Sequence, residues 1–196
     1  MIRLPTPLAT GTLSLEETIS FRRSCRSFST ASSSLSEVGQ VLWAAQGLTD
    51  PHREFRSCPS AGALYPLETY VVVNRLTDLA PGVYRYIVPH HGIEQVKAGH
   101  CGEQLAMAAL NQRSIALASF CVILTSEHSR ICSKYGQRGR RYAIIEVGCA
   151  TQSLCLQAIQ FDLKSLVIGA FDDVEVQKAA GIPTQHEPIC IVCIGK

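Results

Sequence analysis

The sequence carries little charge for its length. Only 17% of its 196 residues are Asp, Glu, Lys or Arg, whereas 46% are hydrophobic, and the formal net charge is +2. A general nucleic-acid-binding surface needs a strong basic excess, so we do not expect a nucleic-acid partner. A chain with so few charges leaves apolar surface patches to cover, which favours a large oligomer interface.

Long apolar runs are also missing. The longest lies around residues 118–124, far short of the roughly 20 residues that a membrane helix needs. The first twenty residues contain no apolar core of a signal peptide. We therefore expect no membrane partner and a cytoplasmic location. The length favours a single domain over residues 1–196 with a sizeable core.

Several common site motifs are absent. No strand is followed by G-x-G-x-x-G, and there is no P-loop, G-x-S-x-G or H-E-x-x-H, so neither a Rossmann site nor these catalytic motifs are indicated. Nine cysteines are present, but most have apolar neighbours. The one C-x-x-C pair, Cys190 and Cys193, falls in a predicted strand, where residues i and i+3 point to opposite faces. We expect no metal site and no disulfides.

Apolar periodicity and capping residues predict an α+β, or mixed α/β, fold. Ser14–Glu17 and Ser34–Glu37 read as capping boxes that open two helices. Strands are predicted at 68–73, 83–88, 93–96, 120–125, 165–168 and 188–194, and further helices at about 101–113, 138–161 and from 172 onward. Small residues are scattered along the helix over 138–161, and they permit another helix to approach closely. This helix therefore either lines a dimer interface or is an ordinary core helix. Residues 49–66 form a connection of a length that is usually functional or disordered.

An arginine cluster follows the first predicted helix. Arg22, Arg23 and Arg26 lie within five positions, with Ser24 among them. Neighbouring like charges need solvent or a bound anion, and the planar guanidinium suits phosphate. A second interpretation is a basic helix end in water, because Arg22 and Arg23 fall in the predicted last turn, where the helix dipole favours cations.

Several stretches together resemble the flavin-dependent nitroreductase superfamily, in particular its SagB-type branch, which includes the azoline (thiazoline and oxazoline) oxidases. The resemblance covers nearly the whole chain, in the same order. It rests on Arg22-Arg23-Ser24-x-Arg26-x-Phe28, Pro59-Ser60-Ala61-Gly62-Ala63-Leu64-Tyr65-Pro66-Leu67-Glu68, Ala109-Leu110-Asn111-Gln112, Tyr135-Gly136-x-Arg138-Gly139-x-Arg141-Tyr142 followed by Glu146-x-Gly148, and Gly169-Ala170-Phe171.

The resemblance implies a nitroreductase-like fold, with a central, mainly antiparallel sheet flanked by helices, in a homodimer that binds FMN at its interface. The arginine cluster would hold the phosphate, and the proline-serine loop, residues 59–66, would cover the partner's flavin. Gln112 would reach the polar side of the flavin, and the glycine loop, Gly169-Ala170-Phe171, would face its N5 atom. The implied flavin-binding residues are Arg22, Arg23, Ser24, Arg26, Pro59, Ser60, Ala61, Gly62, Leu64, Gln112, Ile168, Gly169, Ala170 and Lys196, with Arg140 or Arg141 as alternatives to the last.

The implied function is an oxidoreductase with a ping-pong cycle, in which hydride passes through flavin N5 between NADH or NADPH and a small nitro or quinone-type acceptor. One alternative is a dehydrogenase that oxidises a thiazoline or oxazoline in a modified peptide, together with a modification partner. In that case Lys134 and Tyr135 resemble a pair with an acid/base role, although they also suit a solvent-facing dipeptide at a helix entrance. Two further alternatives are a non-catalytic flavin-binding protein and a structural protein without flavin.

Overall fold

The computed structural model describes residues 1–196. Nine strands form one large sheet and one small hairpin. They are β1 (Ile2–Arg3), β2 (Leu48–Asp50), β3 (Phe55–Arg56), β4 (Leu67–Val73), β5 (Gly82–Ile87), β6 (Gly92–Ala98), β7 (Phe120–Ser126), β8 (Lys164–Ile168) and β9 (Glu187–Gly195). The seven-stranded sheet has the order β1-β6-β5-β4-β7-β9-β8, and every neighbouring pair in it is antiparallel.

Seven α-helices cover this sheet. They are α1 (Leu15–Phe21), α2 (Leu35–Gln46), α3 (Gly102–Ala108), α4 (Ser114–Leu117), α5 (His128–Tyr135), α6 (Arg138–Ile159) and α7 (Asp173–Ala180). Single turns of 3₁₀ helix lie at Ala61–Ala63 and Val88–His90. The predicted α+β fold, with an antiparallel sheet flanked by helices, is confirmed.

Both faces of the sheet are buried. On the central strand β7, Phe120 and Val122 belong to an apolar cluster with α2 and α6, while Cys121 and Ile123 belong to a second cluster with α3 and α7. This division follows from the two-residue side-chain period of a strand. On β9, Cys190 belongs to the first cluster and the fully buried Cys193 to the second, so the two cysteines point to opposite faces as predicted.

The predicted caps of the first two helices are confirmed. Ser14 and Ser34 each accept a hydrogen bond from the backbone N–H of the glutamate three residues on, and that glutamate accepts one from the backbone N–H of its serine. Gly47 ends α2, and its N–H donates to the carbonyl of Trp43 at 2.8 Å. These contacts join residues close in sequence, and local patterns could therefore predict them.

Four expectations need correction. Arg22 is the C-cap of α1, so Arg22 and Arg23 lie beyond its last turn. The helix predicted over 101–113 is two helices, because Leu110 and Asn111 adopt left-handed φ angles of 56° and 62° between α3 and α4. The connection over 49–66 contains the β2–β3 hairpin, and α5 precedes α6. All the elements missed are short and depend on tertiary packing for their stability.

The longest helix, α6, is a core helix, as one of the two interpretations predicted, and it also has an exposed apolar face, while its part in a dimer interface stays a prediction. Val147 and Leu154 lie in the first apolar cluster, whereas Ile144 and Ile145 on its outer face are 55% and 57% exposed. Its 22 residues, with a mean hydropathy of 1.2 over the most apolar stretch, meet the length and composition of a membrane span, although 44% of that stretch is buried in the fold. Core helices of folded proteins meet the same criteria.

Candidate functional site

The arginine segment, residues 22–28, runs along the outer side of β8. Ser24 pairs with Ser165 of β8 in a parallel bridge, and the N–H of Cys25 donates to the carbonyl of Ser165 at 2.9 Å. Further on, the N–H of Ser29 donates to the carbonyl of Lys196 at 2.6 Å. Backbone pairing with residues far along the chain therefore sets the position of this segment.

The three arginines differ in what they contact. The guanidinium of Arg23 donates to the carbonyls of Ser20 and Arg22 at 2.9 and 2.8 Å, so the helix-end interpretation fits this residue. The side chains of Arg22, which is half-buried, and Arg26, which is exposed, form no hydrogen bond or salt bridge. Two guanidinium groups without partners suit an anion such as phosphate.

Tertiary contacts join the arginine segment to two other predicted motifs. The hydroxyl of Ser114 donates to the carbonyl of Arg26 at 3.0 Å. Two residues earlier, the Nε2 of Gln112 donates to the carbonyl of Ala170 at 2.9 Å and to that of Ala109 at 3.1 Å. The side-chain nitrogen of Gln112 thus binds the glycine loop, which leaves its amide oxygen free for a ligand.

The glycine loop presents open backbone. Gly169 and Ala170 are exposed, and neither N–H donates a hydrogen bond within the chain. A Cβ added to Gly169 would meet no atom within 4 Å. The side chain of Ile168 is instead 4% exposed and belongs to the core, so this residue could offer a ligand only its backbone.

The remaining cations suggested for the phosphate already have partners or lie elsewhere. The Nζ of Lys196 is 3.3 Å from Oε1 of Glu37. Arg140, near the start of α6, forms a 2.8 Å salt bridge with Glu187. Arg141 is exposed on the same turn. The roles suggested for these residues stay predictions.

The proline-serine loop, residues 59–66, is held by side-chain hydrogen bonds. The hydroxyl of Ser60 donates to Oε2 of Glu146 at 2.6 Å and accepts from the N–H of Tyr65 at 2.9 Å. Between them, Gly62 and Ala63 have φ angles of 64° and 53°. Pro59 is exposed, and Ala61 and Leu64 are half-buried. The turn is therefore tight, and its apolar side chains are partly available for contact.

Lys134 and Tyr135, at the end of α5, lie against this loop. A Cβ placed on Gly62 would be 2.6 Å from the hydroxyl of Tyr135 and 3.0 Å from the Nζ of Lys134. The ring of Tyr135 also makes an edge-to-face contact with Tyr142, with the ring centroids 5.2 Å apart. The dipeptide is thus positioned by the proline-serine loop, which the solvent-facing interpretation did not include.

We expect Gly62→Ala to destabilise the protein because alanine disfavours a positive φ by roughly 1–2 kcal/mol and its Cβ would displace Tyr135. Gly181→Ala is the matched control, since Gly181 has nearly the same φ, 65°, and an added Cβ would have no atom nearer than 3.4 Å. In urea unfolding, Gly62→Ala should lose more free energy of unfolding than the control does. The difference should be about 1 kcal/mol or more, because the added methyl group overpacks the contact with Tyr135. Equal losses in the two variants would mean that Tyr135 does not constrain the loop.

The sequence interpretation assigned no role to Glu146 beyond its place in a motif. This carboxyl is only 2% exposed, and burial raises its pKa to about 7, against the lowering effects of the Ser60 hydrogen bond and the Arg56 charge. Its neighbours along α6, Ala143 and Val147, are also buried. A glutamate on the apolar face of a helix is the signal that could have revealed it.

A second group of titratable side chains lies beside the proline-serine loop, where Arg130 donates to the carbonyl of Tyr65 at 2.6 Å. Glu68, Glu127 and His186 place possible metal-ligand atoms within 4.8 Å of one another. Two guanidinium groups already serve these carboxylates: Arg130 bridges both glutamates, and Arg85 binds Glu68 at 2.9 Å. This arrangement is a salt-bridge network that stabilises the start of β4.

The two groups of candidate residues lie apart on one chain. The proline-serine loop meets α6 at Glu146, whereas the arginine segment and β8 meet it at Cys155. Nine residues of helix separate these positions by about 13 Å along the axis and place them on opposite sides of the helix. No hydrogen bond joins the two groups.

Residues 19–196 match the profile of the Nitroreductase family. The chain belongs to this family. A Methanocaldococcus jannaschii protein with the provisional name nitroreductase MJ1384 is 37% identical over 184 residues, which cover 94% of this chain and 91% of that protein. The microcin B17-processing protein McbC of Escherichia coli is 27% identical over 158 residues, which cover 76% of this chain but only 57% of McbC.

Solved structures share the fold of this nitroreductase-family chain. One from Ralstonia eutropha, provisionally named a nitroreductase, has a TM-score of 0.86 at 23% identity and covers 100% of this chain and 88% of its own. A chain of the E. coli microcin synthetase McbBCD complex, with truncated pro-MccB17 bound, has a TM-score of 0.76 at 24% identity and covers 98% of this chain and 77% of its own. At these identities the similarity concerns the fold alone.

Proposed function

We propose that this nitroreductase-family protein is an FMN-dependent oxidoreductase that acts as a homodimer, with residues 1–196 as its single domain. The observation that carries the proposal is the pair of unpartnered guanidinium groups, Arg22 and Arg26, beside the exposed N–H groups of Gly169 and Ala170. Two side chains near the start of α4 connect the two segments, because Ser114 donates to the carbonyl of Arg26 and Gln112 donates to the carbonyl of Ala170. Together they offer charge for a phosphate and free donors for the polar edge of a flat ring system. These residues fit FMN.

A bound flavin would supply two-electron redox chemistry, and the protein would supply binding and orientation. Arg22 and Arg26 would hold the phosphate with Arg23 and Ser24 beside them. Gln112 would present its amide oxygen while its nitrogen fixes the Ala170 carbonyl. The free backbone N–H groups of the glycine loop would stabilise negative charge that develops on the ring, because fixed donors need no reorganisation during the reaction.

The homodimer is supported by the separation of the two residue groups. Residues 59–66 lie away from the arginine segment on the same chain, so the loop of a second copy would be needed to complete the site. Apolar surface for such an interface is available, because large side chains around α3, α4 and α6 are exposed. They include Met107, Leu110, Leu117, Ile144 and Ile145.

For substrates, the general family expectation is a nicotinamide donor, NADH or NADPH, and a small nitro or quinone-type acceptor. The alternative is the oxidation of a thiazoline or oxazoline in a modified peptide, with a partner protein. Its support is the position of Lys134 and Tyr135 beside Gly62, where they could hold or move a proton, together with the relationship to McbC. A cytoplasmic location stays a prediction.

The visible absorption spectrum of the freshly purified protein is the experiment that tests the proposal. We expect a yellow protein that releases FMN on heating and, after addition of NADH or NADPH, loses its flavin absorbance until a quinone restores it. Bound FMN that neither nucleotide reduces would favour the azoline role or a non-catalytic flavin protein. A colourless protein that does not take up added FMN would contradict the proposal.

A further inference from the structure

Glu146 connects the interior of the fold to the proline-serine loop. One carboxylate oxygen, Oε2, accepts a 2.6 Å hydrogen bond from Ser60. The other, Oε1, is buried without a hydrogen-bond partner, and so is the Nε2 of Gln46 on α2. Gln46 nevertheless faces the carboxyl closely enough to lower its pKa. An unsatisfied buried oxygen is costly, and the one hydrogen bond that this carboxyl does form is the one to the loop.

Ser60 transmits the state of Glu146 to the loop backbone. Its hydroxyl has a single hydrogen, which points to Glu146, while a lone pair accepts from the N–H of Tyr65 at 2.9 Å. The hydrogen bond to an ionised carboxylate is roughly twice as strong as one to a neutral group. Protonation of Glu146 would therefore weaken the contact that orients Ser60 and closes residues 59–66.

The groups that face Glu146 come from four parts of the chain. Two are cations, Arg56 of β3 and Arg130 of α5, and one is the thiol of Cys58, whose own neighbour is Cys149 of α6. The other two are the neutral side chains of Ser60 in the loop and Gln46 of α2. Burial raises the pKa of the Cys58 thiol to about 12, so it stays protonated at neutral pH.

We propose that Glu146 is a positioning residue for residues 59–66, which it holds closed through Ser60 when ionised and releases when protonated. Because Lys134 and Tyr135 rest against Gly62, the same step would change their support. The pKa of about 7 means that both states are populated near neutral pH. The order of the loop follows from this chain alone, whereas any effect on a bound flavin rests on the proposed function.

Hydrogen–deuterium exchange of the protein between pH 5.5 and 8.5 tests the proposal. The measured quantity is the exchange rate of the peptide that covers residues 59–66, corrected for the intrinsic rate at each pH. Wild-type protection should rise several-fold, up to about tenfold, as the pH increases through 7. Glu146→Gln should remove this step. Ser60→Ala should show low protection at every pH, and Ser60→Thr, which keeps the hydroxyl, should retain the step. Peptides from the buried helix α2, whose protection follows the global stability, should not show this rise.

A pH step that persists in Glu146→Gln, or a wild-type loop without a step, would overturn the positioning role. FMN affinity of the same proteins separates this proposal from the proposed function. If the step is present but no variant or wild-type protein binds FMN, the role of Glu146 stands and the flavin proposal fails. If FMN binds while the step is absent, the flavin proposal stands and the role of Glu146 is wrong.

Discussion

Replacing Arg22 with alanine is expected to weaken FMN binding about 10- to 100-fold, while binding of riboflavin, which lacks the phosphate, changes little. The guanidinium of Arg22 has no partner within the chain, so its charge is available to the phosphate. Loss of one charge-assisted hydrogen bond costs roughly 1.5–3 kcal/mol. Arg26→Ala should behave in the same way. Titration of the flavin-free protein with each flavin, followed by fluorescence quenching, measures both affinities.

Two arginine variants serve as comparisons. Arg3 lies on β1 at the opposite edge of the sheet from β8, so Arg3→Ala removes the same charge without an expected effect on FMN. Arg23→Ala should reduce FMN affinity less than Arg22→Ala, since its guanidinium already binds the carbonyls that end α1. If Arg22→Ala weakened FMN and riboflavin equally, Arg22 would not contact the phosphate.

The second large effect concerns stability and pH at Glu146. Its pKa is about 7 in the folded protein and roughly 4.3 in an unfolded chain. Between these values the folded state binds more protons, so wild-type stability falls as the pH rises and levels off above 7. The difference amounts to about 4 kcal/mol. Since glutamine does not titrate, Glu146→Gln should lack this loss. Its free energy of unfolding should therefore increase relative to that of wild type as the pH rises from 4.5 to 8.

Urea unfolding at pH 4.5, 6, 7 and 8 measures this effect. Glu94→Gln is the matched control, because Glu94 is exposed on β6 and its loss leaves the buried charges unchanged. At each pH, the free energy of unfolding of each variant is compared with that of wild type. The test is how this difference changes with pH. If Glu146→Gln and Glu94→Gln followed the same course, the buried carboxyl would not bind its proton more tightly in the folded state.

Much of the fold could be predicted because its determinants are close in sequence. The capping boxes at Ser14 and Ser34, the apolar strand over residues 120–125 and the long helix from Arg138 were all recognisable from neighbouring residues. The break between α3 and α4 was not. Nothing local requires Leu110 and Asn111 to take left-handed conformations, and the next residue, Gln112, is held by a tertiary contact with Ala170 that the sequence does not show.

The residues of the candidate site were named from the sequence, but their physical states depend on contacts over long separations. The sequence placed Arg22 and Arg23 alike in the predicted last turn of the helix, whereas only Arg23 binds carbonyls at the end of α1. Likewise, the apolar neighbours of Glu146 on α6 indicate that it is buried, but nothing near it in the sequence shows that its partner is Ser60, 86 residues away. Local patterns determine caps, periodicity and residue type, whereas the tertiary structure alone decides which charge is buried, partnered or free, because desolvation and hydrogen bonding depend on neighbours that only folding brings together.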